Sequence, residues 1–146
     1  MIGHELREFV DHVMDRRVID DEDVRILQRE ILHEVVLTRD IIDVLVALDR
    51  AVADKSPLFA DVLLAFCVDF SVWESRPTGR IDRDKAHWLV TTLSAGDGPT
   101  PLAQKIAFEV VREAESCDEG LVSFALRKAD ARIAIAPIAQ RVVLAS

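Results

Sequence analysis

Apolar residues recur at helical spacing along most of this chain, in segments separated by short polar breaks. In residues 4–16, for example, Leu6, Phe9 and Val13 fall on one face, because residues three and four apart share a helix face. The segment 58–73 is apolar on nearly every face, which predicts a central helix surrounded by the others.

Six residues that can cap helix N-termini punctuate this pattern, and they form three pairs at one offset of 62 residues. Ser, Thr and Asp side chains accept hydrogen bonds from the free N–H groups at a helix start. The pairs are Asp20 and Asp82, Thr38 and Thr100, and Ser56 and Asp118. Any series of short helices aligns its caps at some offset, but three pairs in one gapless register favour an internal duplication.

The pattern therefore predicts an all-α fold: a single compact bundle of about seven helices, with two pseudo-symmetric three-helix halves and an N-terminal helix. We expect one domain over residues 1–146, with pseudo-repeats at about 12–73 and 74–135. The apolar tail 133–146 is interrupted by Pro137. A short helix docked on the core and a segment that binds a partner both fit this tail.

The chain is acidic, with a formal net charge of −8 from 26 acidic and 18 basic side chains. Phosphate binding requires clustered Lys and Arg, and no basic stripe occurs here, so we expect no nucleic-acid partner. The longest apolar run, 62–68, is far too short for membrane insertion. Two separate cysteines, and a start without signal-peptide features, predict a cytoplasmic protein.

Residues 74–85 have the outline of a calcium-binding EF-hand loop. Gly79 falls at the sixth position, where the chain turns sharply, and Ile81 at the eighth, where a short β bridge forms. The ligand positions do not match. Arg76 and Thr78 occupy the third and fifth positions, and Lys85 occupies the twelfth, which requires a bidentate glutamate. We interpret the glycine and the isoleucine as structural.

Acidic residues cluster at two predicted helix starts, and two interpretations remain open. Carboxylates in the first turn of a helix complement its dipole, which is their common role. Alternatively, the carboxylates belong to a site for a divalent cation such as Ca²⁺ or Mg²⁺ that is shared with another helix, and the pseudo-symmetry places equivalent carboxylates in both halves. The candidate metal ligands are Asp20, Glu22, Asp23, Asp82 and Asp84.

The sequence contains no recognisable catalytic motif. A nucleophile elbow, a phosphate-binding loop, a dinucleotide fingerprint and a paired-cysteine zinc motif are all missing. The polar residues that an enzyme site could use are Glu74, Asp82, His87 and Cys117, and no spacing joins them. We therefore predict that the protein is not an enzyme, with no catalytic residue and no cofactor.

Two tryptophans, Trp73 and Trp88, lie on either side of the loop at 74–80. In one interpretation they pack on each other beneath the loop and join the two halves. In the other they are partly exposed and bind a partner, since tryptophan is enriched at binding hot spots.

The phrase Gly-x-Ile-Asp-x-x-x-Ala-x-Trp-Leu at residues 79–89 and the phrase Val-Ile-Asp at residues 18–20 resemble uncharacterised helical proteins of alphaproteobacteria. More widely, residues 17–130 are similar to the TerB-like helical domains associated with tellurite resistance and stress responses. The resemblance implies a small all-helical domain with helix pairs around a pseudo-two-fold axis. It also implies a role in stress responses and divalent-cation binding by acidic residues.

These observations predict a non-catalytic protein-interaction or scaffold module. The expected partner is a protein, and a second copy of this chain is one candidate. The alternative is a divalent-cation-binding stress-response domain of the TerB-like kind.

Overall fold

The computed structural model of the protein describes residues 3–126. That range contains seven helices and four two-residue strands. In chain order they are α1 His4–Arg16, β1 Val18–Ile19, α2 Asp21–Ile26, α3 Arg39–Ala51, β2 Asp54–Lys55, α4 Pro57–Val68, β3 Arg80–Ile81, α5 Arg83–Leu93, α6 Pro101–Glu113, β4 Ser116–Cys117 and α7 at 119–126. Two helices continue in π-helical geometry, α2 through Leu27–Ile31 and α4 through Asp69–Glu74. The predicted all-α fold of about seven helices is confirmed. The tail 133–146 and the end of the second predicted repeat lie outside the described residues.

The helix caps have the same geometry in both parts of the chain. Asp20 Oδ1 accepts a hydrogen bond from the backbone N–H of Asp23 at 2.9 Å, and Asp82 Oδ1 accepts one from Lys85 at 2.9 Å. Each aspartate therefore satisfies a free N–H in the first turn of its helix. Asp20 also forms a capping box, because the Asp23 side chain accepts from the Asp20 N–H.

The short strands form two parallel pairs, β1 with β2 and β3 with β4. Just after each pair, the next residue closes an equivalent bond: Ser56 N–H donates to the Ile19 carbonyl, and Asp118 N–H to the Ile81 carbonyl, both at 2.8 Å. Each strand pair therefore sets two helix starts side by side, those of α2 and α4 in the first part and those of α5 and α7 in the second.

Left-handed backbone conformations recur at the same offset. Arg17 has φ 61° and Gly79 has φ 81°, while Glu34 has φ 60° and Gly96 has φ 72°. Arg17 and Gly79 each precede a strand, whereas Glu34 and Gly96 each lie in the connection to α3 or α6. The chain thus reverses direction at equivalent places, even where only one of the two residues is a glycine.

Helix α4 is the centre of the bundle and contacts α2, α3 and α6. Its fully buried side chains include Phe59, Leu63 and Cys67, as its all-round apolar sequence predicts. Among the described residues, no helix combines the length and apolar character needed to cross a membrane.

Candidate functional site

The three acidic candidates in the first part of the chain have structural partners. Asp20 caps α2, and the buried carboxylate of Asp23 accepts a hydrogen bond from Arg16 Nη1 at 3.0 Å. Glu22 is exposed and forms an ion pair with Arg25 at 3.2 Å. These contacts match the interpretation of a capped, dipole-complementing first turn.

The Asp20 carboxylate and the Arg16 guanidinium stabilise each other in their charged forms. The backbone N–H of Asp23 is the main cause that lowers the pKa of Asp20, and the Arg16 guanidinium lowers it further. In return, the hydrogen bond to Asp20 raises the pKa of Arg16. The carboxylate and the guanidinium therefore both stay charged at neutral pH.

The two candidates in the second part also have partners within the protein. Asp82 caps α5, and Asp84 is exposed and paired with Arg39 Nη2 at 2.8 Å. In residues 3–126, no three His, Cys, Asp or Glu side chains form a group that could hold a metal ion. Within that range the five predicted carboxylates therefore form no direct ligand group for a cation.

The most unusual polar group in the described residues is the side chain of Lys85, which is 1% exposed. Its Nζ donates hydrogen bonds to the main-chain carbonyls of Ser71 at 2.7 Å, Ser75 at 2.9 Å, Pro77 at 2.7 Å and Arg80 at 2.8 Å. We refer to these four carbonyl groups as the carbonyl cage. A buried charge is costly unless its hydrogen bonds are satisfied, and this cage satisfies them.

The cage forms because the chain leaves α4 and returns to α5 in a tight loop. The π-helical turn at Asp69–Glu74 directs the Ser71 carbonyl toward the loop, and the positive φ of Gly79 reverses the chain before β3. Asp82 then starts α5, so Lys85 lies in its first turn. Side chains on a helix lean toward its N-terminus, which directs Lys85 back into the loop.

The number of acceptors determines the charge of this lysine. A neutral amine has two N–H donors and a lone pair that would face a carbonyl oxygen, whereas an ammonium has three donors and no lone pair. Burial lowers the pKa of Lys85, with Arg39 and Arg80 acting in the same direction, while the Asp82 carboxylate opposes the shift. Four surrounding oxygens favour the ammonium form.

The sequence did not reveal this role. In the sequence, Lys85 stands out only as a mismatch at the twelfth position of the EF-hand-like loop, which requires a glutamate. The available signal was its position: it occupies the first turn of a helix, three residues after a cap, where the equivalent residue of the first part is Asp23. Two opposite charges at one structural position indicate a site where the local surroundings select the charge.

The tryptophans do not pack on each other, so that interpretation was wrong. Trp88 forms an edge-to-face pair with Phe70, with ring centroids 5.8 Å apart, and its Nε1 donates to Asp43 at 2.8 Å. Trp73 is 40% exposed, and its Nε1 donates to Glu113 at 3.1 Å. Each ring therefore has partners of its own, and of the two tryptophans only Trp73 is exposed.

The polar residues considered for an enzyme site have unremarkable environments. Glu74 and His87 are exposed, and Asp82 is engaged as a cap. Burial raises the pKa of the Cys117 thiol to about 11 and that of Cys67 to about 12. Neither thiol is therefore a ready nucleophile at neutral pH, since the thiolate is the reactive form.

An open depression of about 630 Å³ lies beside the β1–β2 pair. It is lined by four carboxylates and two basic side chains, together with apolar and small residues. The charged lining residues are Asp20, Asp21, Glu22, Arg25, Asp54 and Lys55.

Comparison with protein-family models, with curated proteins and with solved structures finds no match to this chain. The resemblance to TerB-like domains therefore stays a prediction.

Proposed function

We propose that this protein is a non-catalytic helical module that binds another protein, with Trp73 at the centre of the contact surface. The observation that carries the proposal is that the Trp73 side chain is exposed and also held by a hydrogen bond. Trp73 is 40% exposed, although its ring is held by the hydrogen bond from Nε1 to Glu113. A rigid, exposed tryptophan loses little entropy when a partner covers it, and tryptophan is enriched among hot-spot residues.

The other polar groups support this proposal by their use inside the fold. The carboxylates at the helix starts serve as caps or form ion pairs, and the buried lysine is held by its own loop. Exposed apolar side chains elsewhere include Met14, Val36 and Phe108. Such side chains are common singly on protein surfaces, so they serve here as controls.

Site-specific photocross-linking tests the proposal. A photoreactive phenylalanine analogue is placed at position 73 in one variant and at Phe108, on α6, in a control variant. We expect position 73 to yield a discrete cross-linked protein in native cells, and a pull-down with the Trp73→Ser variant to recover less of that protein than a pull-down with the wild type. Mass spectrometry distinguishes a second copy of this chain from another protein. Equal yields at both positions would contradict the proposal.

One observation favours the cation alternative. The depression beside β1 and β2 collects Asp20, Asp21, Glu22 and Asp54 around one opening. Because these carboxylates do not form a direct ligand group, a hydrated Mg²⁺ held through its water shell fits better than Ca²⁺. Calorimetric titration with both ions tests this, with Asp54→Asn as the variant. No heat, and no change in melting temperature at millimolar metal, would end the alternative.

A further inference from the structure

The environment of Lys85 differs from that of an ordinary salt bridge. In the structure its hydrogen-bond partners are four neutral main-chain oxygens, from Ser71, Ser75, Pro77 and Arg80. Rings of carbonyl oxygens are how proteins replace the hydration shell of a monovalent cation. The cage thus has the chemistry of a cation site, while the cation in it is covalently attached to the chain.

We infer that the carbonyl cage is a monovalent-cation site that the protein fills with its own Lys85 ammonium. In an EF-hand loop the twelfth residue is a glutamate that binds a divalent cation. Here the residue at that position supplies the cation, so the loop keeps its conformation without a metal. Once the lysine side chain is removed, the cage binds a free cation of the ammonium class.

The charges around the cage favour a monovalent over a divalent cation. No carboxylate contacts Nζ within the described hydrogen bonds, and Asp82 uses its Oδ1 to cap α5. Arg80 contributes a carbonyl oxygen to the cage, but its guanidinium adds positive charge nearby. Divalent cations require a higher negative charge from their ligands than these neutral oxygens provide.

Chemical rescue of Lys85→Ala tests this inference. That substitution removes three carbons and the nitrogen, which is the structure of propylammonium. We expect the variant to lose roughly 10 °C in melting temperature, because a buried charge network loses its centre. Propylammonium chloride should restore at least about half of that loss, after correction for its effect on Lys105→Ala, an exposed lysine change on α6.

The neutral isostere 1-propanol and matched sodium chloride separate charge from shape and ionic strength. Recovery of the melting temperature with propylammonium, but not with 1-propanol or sodium chloride, supports the inference. A smaller recovery with ammonium or potassium chloride also supports it, as evidence that the carbonyl cage itself binds the cation. Equal rescue by 1-propanol would show an apolar cavity instead and would overturn the inference. A variant as stable as Lys105→Ala would overturn it too.

A measurement on the unaltered protein covers the case in which Lys85→Ala does not fold. The Nζ protons of a caged ammonium exchange slowly with water, so Lys85 should give a resolved ¹H–¹⁵N signal that correlates with three equivalent protons. The Nζ protons of Lys105 should exchange too fast for detection under the same conditions. Exchange of the Lys85 Nζ protons as fast as that of the Lys105 Nζ protons would refute the caged cation. A Lys85 signal with the multiplicity of a neutral amine would refute it as well.

Discussion

The first-turn position of α2 and that of α5 share one backbone plan but bury opposite charges. Asp23 is 4% exposed and Lys85 is 1% exposed, and each donates its backbone N–H to a capping aspartate at 2.9 Å. The shared backbone conformation therefore does not determine the sign of the buried charge. The two positions differ in which groups compensate the charge.

Asp23 is compensated by a side chain that reaches it from α1. Arg16 is itself partly exposed, so water can replace it when it moves away. Lys85 is compensated by main-chain carbonyls of its own loop and of the π-helical end of α4, with the Asp82 carboxylate nearby. We therefore expect the first loop to keep its conformation when the charge pair is weakened, whereas the second loop should depend on its lysine.

The largest expected effect comes from Lys85→Met, which keeps an apolar stem and deletes the ammonium. Four carbonyls lose their donor, and we expect a loss of about 3–5 kcal/mol in the free energy of unfolding. Urea denaturation of this variant and of Lys105→Met measures the difference. A loss below about 1 kcal/mol would mean that the loop does not depend on the ammonium.

A smaller loss is expected for Asp23→Ala. The change removes one arm of the capping box and the acceptor of Arg16, which together stabilise the fold by about 2 kcal/mol. Glu22→Ala, one residue away and exposed, should change stability by less than about 0.5 kcal/mol. If Asp23→Ala proves more damaging than Lys85→Met, the ranking of the two loops is reversed.

The sequence predicted the fold because caps and helical periodicity are local signals. Asp20 and Thr38 each satisfy an N–H group three residues away, so their role can be recognised without knowing the tertiary structure. The role of Lys85 was missed because it depends on where loop carbonyls from residues up to fourteen positions away point. For the same reason, the tryptophans were paired with each other from sequence proximity, whereas Trp88 takes its partners from α3 and from the end of α4.

A third prediction compares the two chain reversals. Gly79 has φ 81°, and a Cβ there would lie 3.0 Å from Glu115 Oε1 and 3.4 Å from Trp73 Cζ3. Gly79→Ala should therefore cost about 1–2 kcal/mol. At the equivalent Arg17, with φ 61°, relief of strain and loss of chain entropy offset each other, so Arg17→Gly should stay within about 0.5 kcal/mol. Thermal unfolding of both variants checks this. If Arg17→Gly lost as much stability as Gly79→Ala, the positive φ of Arg17 would not be a strained position equivalent to that of Gly79.

The smallest effect concerns the charge of the first cap, and it depends on pH. The Asp23 N–H and then Arg16 hold the pKa of Asp20 below its ordinary value of 3.8. Because the folded pKa is lowered, this carboxylate stabilises the protein above its unfolded pKa, and the stabilisation is lost as pH falls through the folded value.

Asp20→Asn isolates that charge, because asparagine caps helices about as well as aspartate. We expect the variant to melt below the wild type at neutral pH, and the gap to narrow as the pH falls below the ordinary pKa of 3.8. The exposed change Asp11→Asn on α1 provides the control for general acid effects. A difference in melting temperature that does not change as the pH falls would mean that Asp20 acts through its shape rather than through its charge. The caps Asp20 and Asp82 would then act in the same way, although Arg16 contacts only the first.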